Sequence, residues 1–132
     1  MSTLSAIAEK YQNGKGILSD WLGSGAATVP AALAQARANI CTGKAGGRPC
    51  PSNTRESGLE HLFGEGLKKI VEMKNQAQLR VDGEKSLFGC DVCGCHLRTK
   101  IWTPMEHIKK HTPDAELMKH PTYCWLRREN NL

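Results

Sequence analysis

Residues 88–102 read FGCDVCGCHLRTKIW, and three of the chain's six cysteines fall inside this stretch. Cys90 and Cys93 are separated by two residues and followed by Gly94, the form of a metal knuckle. Two sulfurs at that spacing can reach one ion, and the glycine relieves crowding where backbone amides turn toward them. A knuckle supplies only half of a tetrahedral site, so the remaining ligands must come from elsewhere. The candidate ligands are therefore Cys41, Cys50, Cys90, Cys93, Cys124 and Cys95. The cofactor expected is zinc, with a [4Fe–4S] cluster as the alternative, because both accept four thiolates.

Other uses of these thiols fit less well. A redox C-x2-C pair opens a helix after a strand, whereas here the pair precedes CHLRTKIW, which reads as a strand with Leu97, Thr99 and Ile101 on one side. Six cysteines allow 15 disulfide pairings, and the sequence selects none. A catalytic thiol needs a base in the right geometry, which the adjacency of His96 does not supply. Cys90-x2-Cys93 followed by His107-x3-His111 also matches a broad Cys2His2 finger spacing. That reading strands four cysteines. The bland reading of the two histidines is a cationic helix end beside Lys109 and Lys110.

Composition sets the frame. At 132 residues the chain reads as one domain, with 39% hydrophobic residues and thirteen glycines. So thin a core benefits from a cross-link or a metal. The net charge of +5 permits an acidic partner without requiring one. No apolar run reaches membrane-spanning length, so no membrane partner is expected. The opening MSTLSAIAEK has no basic segment followed by an apolar stretch, so no signal peptide is read. The expected setting is a reducing cytoplasm, where clustered cysteines more often bind metal than pair.

The fold expected is mainly α, with several short helices, one long amphipathic helix and a small irregular cysteine-rich region. Residues 1–40 read as N-terminal helices. Leu4, Ile7, Ala8 and Tyr11 are followed by Ile17, Leu18, Trp21 and Leu22, and then Pro30 opens PAALAQARANI. Residues 41–58 read as a cysteine loop. Residues 59–82 read as the long helix, its core stripe being Leu59, Phe63, Gly66, Ile70, Met73, Ala77 and Val81, supported by Leu62 and Leu67. Glu65, Lys68, Lys69, Glu72 and Gln76 would face water. Residues 88–126 hold the knuckle and C-terminal helices, opened by Thr103-Pro104 and Thr112-Pro113.

The order Cys41, Cys50-Pro51-x-Asn53, a long helix, Cys90-x2-Cys93-Gly94-Cys95-x4-Lys100 and Cys124-Trp125 resembles small cysteine-rich proteins encoded in tailed-phage and prophage genomes. DWLGSG followed by LAQAR resembles them too. The relatives close the first pair as C-x2-C-Pro, whereas eight residues separate Cys41 from Cys50 here. The resemblance implies a phage-encoded protein made in the host cytoplasm and carries no activity with it.

The function expected is therefore a non-catalytic, metal-stapled structural or interaction protein. Its partners would be other proteins in a larger assembly, such as the tail, baseplate or head-completion part of a virion. The alternative is a zinc-dependent nucleic-acid-binding module. Lys100, Lys109, Lys110, Lys119, Arg127 and Arg128 would supply the charge, and Trp102 and Trp125 the stacking rings.

Overall fold

The computed structural model describes residues 16–45, 47–54, 58–90 and 96–132, with the side chains of residues 59 and 60 outside that description. The expected helical stretch at residues 4–15 lies outside it as well. What is described is mainly helical, as the sequence suggests, with one small two-stranded sheet.

Helix α1 covers residues 16–23 and buries Ile17 and Trp21. It ends where Gly25 turns to φ +102° and the Ala26 amide donates back to the Trp21 carbonyl at 2.9 Å. Glycine adopts that left-handed conformation without steric cost. The Trp21 indole donates to the Ala27 carbonyl at 2.6 Å, which fixes the turn. Helix α2, Ala31–Thr42, starts one residue after Pro30, which was expected to open it, and buries Ala34, Arg37, Ala38 and Cys41, one face at helical spacing.

Helix α3, Gly58–Asn75, is the long element, but it stops seven residues short of the expected end. The stop is a Schellman turn. Gln76 takes φ +51°, its amide donates to the Met73 carbonyl at 3.3 Å, and the Ala77 amide donates to the Glu72 carbonyl at 3.1 Å. The Glu72 carboxylate then accepts the Leu79 amide at 2.8 Å, which holds the chain in its new direction.

The face that α3 buries also differs from the expected one. Val71 is fully buried and Lys68 nearly so, while Leu62, Phe63, Ile70 and Met73 of the expected core stripe are exposed. Two local contacts explain the rotation. Gly64 has no side chain and lies against the His96 ring, where an added Cβ would come within 2.2 Å. Lys68 covers the body with its stem and pairs its ammonium with Glu84 at 3.4 Å. Asn75 donates to the Ala26 carbonyl at 2.7 Å, tying the end of α3 to the turn after α1.

Strand β1, Asn53–Thr54, pairs antiparallel with β2, Gly89–Cys90, in the register Asn53 to Cys90 and Thr54 to Gly89. The segment after His96 is helix α4, Leu97–Lys100, and not the expected strand. Leu97, Thr99, Lys100, Ile101 and Trp102 are all buried, and an alternating strand could not bury such a run against one face. Helix α5 spans Met105–Lys110, α6 spans Asp114–Leu117 and α7 spans Trp125–Glu129. Both proline starts hold, each one residue later than expected. Thr103 turns its hydroxyl to the Thr99 carbonyl at 3.5 Å, and α5 has no side-chain cap.

Arg37 locks these pieces together while 1% exposed. Its guanidinium donates to both Glu129 carboxylate oxygens at 2.8 and 2.7 Å, and to the carbonyls of Ile101 and Thr103 at 3.0 and 2.7 Å. The same group lies 4.3 Å from the Trp125 ring centroid. One side chain on α2 thus satisfies the end of α4 and holds α7, through carbonyls, a carboxylate and a π face.

Candidate metal centre

Four cysteines from four separate segments line one cavity. Cys41 sits in the last turn of α2, Cys50 ends the following loop, Cys90 closes β2, and Cys124 precedes α7. All four are buried. Leu97, Lys100, Trp125 and Leu126 complete the wall, and His120 enters from the loop before α7.

The eight-residue gap between Cys41 and Cys50 closes in space. Gly43 ends α2 at φ +87°, and an added Cβ there would meet the Arg48 and Pro49 backbone at 2.3 to 2.6 Å. Only glycine permits that approach. The loop then returns so that the Cys50 amide donates to the Cys41 carbonyl at 3.0 Å. Asn53 knits the same region. It donates to the carbonyls of Cys41 at 3.2 Å and Ser86 at 2.7 Å, and accepts the Phe88 amide at 2.9 Å. A single amide side chain therefore sets Cys41 and β2 in relative position.

Cys90 Sγ lies 3.8 Å from His120 Nδ1. His120 is 3% exposed and was not singled out by the cysteine pattern. Its nearness to Cys124 along the chain was the only signal in the sequence. Burial pushes the Cys41 thiol up to about 12, with Cys124 and Cys50 adding to the rise. The Trp125 indole and the Lys100 charge act in the opposite direction. Lys100 is only 4% exposed, so its cationic group is delivered to the thiols and not to solvent.

Cys93 and Cys95 lie outside the described residues. Among the described residues, no three His, Cys, Asp or Glu side chains form a group that could hold a metal ion as they stand. The four described thiols line one cavity of about 10 Å³.

His107 and His111 do not join this site. His107 is buried beside α1, with Nδ1 2.7 Å from Asp20 Oδ2 and Nε2 3.3 Å from Ser24 Oγ. His111 packs against Gly16. The finger spacing thus serves packing, and the inward turn of His107 also departs from a solvated cationic helix end. Trp102 and Trp125 are 5% and 2% exposed, so neither ring is open to stack on a base.

Comparison of the chain with protein-family models, with curated proteins and with solved structures finds no match.

Proposed function

We propose that this protein is a non-catalytic structural or interaction protein whose fold is stapled by a thiolate-ligated metal centre. The observation that carries this reading is the convergence of Cys41, Cys50, Cys90 and Cys124 on one buried cavity. They come from four segments that otherwise share few long elements, so one bound group would tie the whole C-terminal half to α2. Structural thiolate sites are closed, whereas catalytic ones keep an open position. Here the thiols are 4–6% exposed and shut in by Trp125 and Leu126, which supports the non-catalytic reading.

The cavity that the thiols line has a volume of about 10 Å³, room for a single ion and not for a cubane cluster. This favours zinc, with a [4Fe–4S] cluster as the alternative. Cys93, three positions after Cys90 in the sequence, is a further candidate ligand. Lys100 supports either choice, since a tetrathiolate centre carries excess negative charge and a buried ammonium offsets it. The setting proposed is the one implied by the phage resemblance, a component of a virion or another larger assembly. The nucleic-acid reading loses its stacking platforms and keeps only surface charge.

The test is to strip the metal under reducing conditions and follow unfolding by circular dichroism. Metal binding that is coupled to folding contributes its free energy directly to stability. Loss of the fold on chelation, regained on reconstitution, supports the staple. An unchanged melting curve contradicts it.

A further inference from the structure

The apolar face of α3 is turned outward. Leu62, Phe63, Ile70 and Met73 are 70%, 67%, 43% and 77% exposed. They fall within about a third of the helix circumference, and Gly66, with open space where a Cβ would stand, lies at the middle. At roughly 200 Å² for a large side chain, these exposures leave on the order of 500 Å² of apolar surface in water. That is near the upper end of what a monomer leaves bare.

We infer that this face binds a second copy of the chain, α3 against α3, in an antiparallel two-fold pair crossing near Gly66. The stripe is self-complementary in that arrangement. Residues on one flank of an antiparallel helix meet residues on the same flank of its mate. Phe63 then faces Ile70 of the second copy, and Leu62 faces Met73. One register serves both pairs, and Gly66 allows the helix backbones to approach closely. Two copies would bury about 1,000 Å² from the four apolar side chains alone, and the rim brings this close to the ~1,200 Å² at which specific pairs begin. The dimer is therefore a weak one, with a dissociation constant on the order of micromolar. The inference is independent of the metal centre, whose cavity is lined by no residue of α3.

The test is sedimentation of the intact protein over a range of concentrations, with Phe63→Lys and Ile70→Glu as variants. Both positions are exposed, so each variant should keep its helical circular dichroism. The pairing predicts that wild type dimerises and that each variant alone is monomeric. It also predicts that an equimolar mixture of the two dimerises again. In that mixed pair the introduced lysine meets the introduced glutamate in one contact, while Phe63 and Ile70 are kept in the other. A wild-type monomer at about 200 µM would overturn the proposal, being far above a micromolar constant. So would variants that still dimerise alone, or a chain that dimerises only after residues 1–15 are removed, since that would assign the face to the protein's own N-terminal segment.

Discussion

Cys90 Sγ and His120 Nδ1 lie 3.8 Å apart although thirty residues separate them in the chain. The pair joins β2 to the loop that carries Cys124. In the proposed metal centre, an imidazole this close to the Cys90 sulfur would orient it and stabilise its thiolate, and losing such a partner costs about 10–100-fold in metal affinity. His120→Phe keeps the space filled and removes the ring nitrogens. Its metal should pass to a competing chelator about 10–100-fold more readily, with the helical content unchanged. Equal retention in variant and wild type would take His120 out of the centre.

Arg37 is the main polar tie of the fold. Arg37→Leu would leave the carbonyls of Ile101 and Thr103 buried without their donor and would release Glu129. Removing one partner of a buried pair costs about 3–5 kcal/mol, and Glu129, at 25% exposed, can regain part of this from water. Chemical denaturation should show a loss of about 2–4 kcal/mol. A change below about 1 kcal/mol would mean that the fork contributes no more than a surface pair.

Gly64 and Gly66 sit two residues apart on α3 and should respond in opposite directions. An alanine at 64 would drive its Cβ into the His96 ring, so Gly64→Ala should destabilise by about 1–3 kcal/mol. Gly66 has nothing within 4 Å, so Gly66→Ala should stabilise by about 0.5–1 kcal/mol, the ordinary helix-propensity gain. Thermal melts of dilute protein read both. Equal effects would mean that α3 does not pack on α4 through the Gly64 face.

Acid should weaken the fold through two carboxylates. Burial raises Glu65, but the Arg98 guanidinium at 2.7 Å and His96 outweigh it and hold Glu65 below its usual 4.5. Hydrogen bonds from His107 and Lys110 hold Asp20 below its usual 3.8. A carboxyl lowered by folding contributes stability above its unfolded value and loses it as pH falls through its folded value. Both contributions are therefore complete above about pH 4.5 and fade below it. In Glu65→Gln, the stability lost between pH 5 and 3 should shrink by about 1 kcal/mol or less, since the pair is partly exposed. An unchanged acid slope would mean that Arg98 does not perturb Glu65.

The helix starts were legible because proline and its neighbours act locally: Pro30, Pro104 and Pro113 each precede a helix. The orientation of α3 was not legible. Its sequence places the apolar stripe where a core face should be, and the buried face is instead a glycine, a lysine stem, one valine and an asparagine. Periodicity detects an apolar face but does not say what covers it. CHLRTKIW misled in a related way, since a fully buried short helix and an alternating strand can share the same few residues. Cys41, Cys50, Cys90 and Cys124 were all among the candidate ligands and share one cavity, whereas the knuckle beyond Cys90 lies outside the described residues. His120 and Lys100 were not, because each reaches the cavity only through the tertiary fold, and neither belongs to a spacing rule.

The claim that a thiolate-bound metal staples this fold is tested most directly by metal and sulfide analysis of anaerobically purified protein, with its visible spectrum. The account predicts colourless protein with one zinc per chain. It also predicts that Cys41→Ser, Cys50→Ser, Cys90→Ser and Cys124→Ser each lose the metal and the fold together. Brown protein with iron and acid-labile sulfide in matching amounts would keep the staple and replace the zinc by a cluster. A folded chain that carries neither metal would contradict the account.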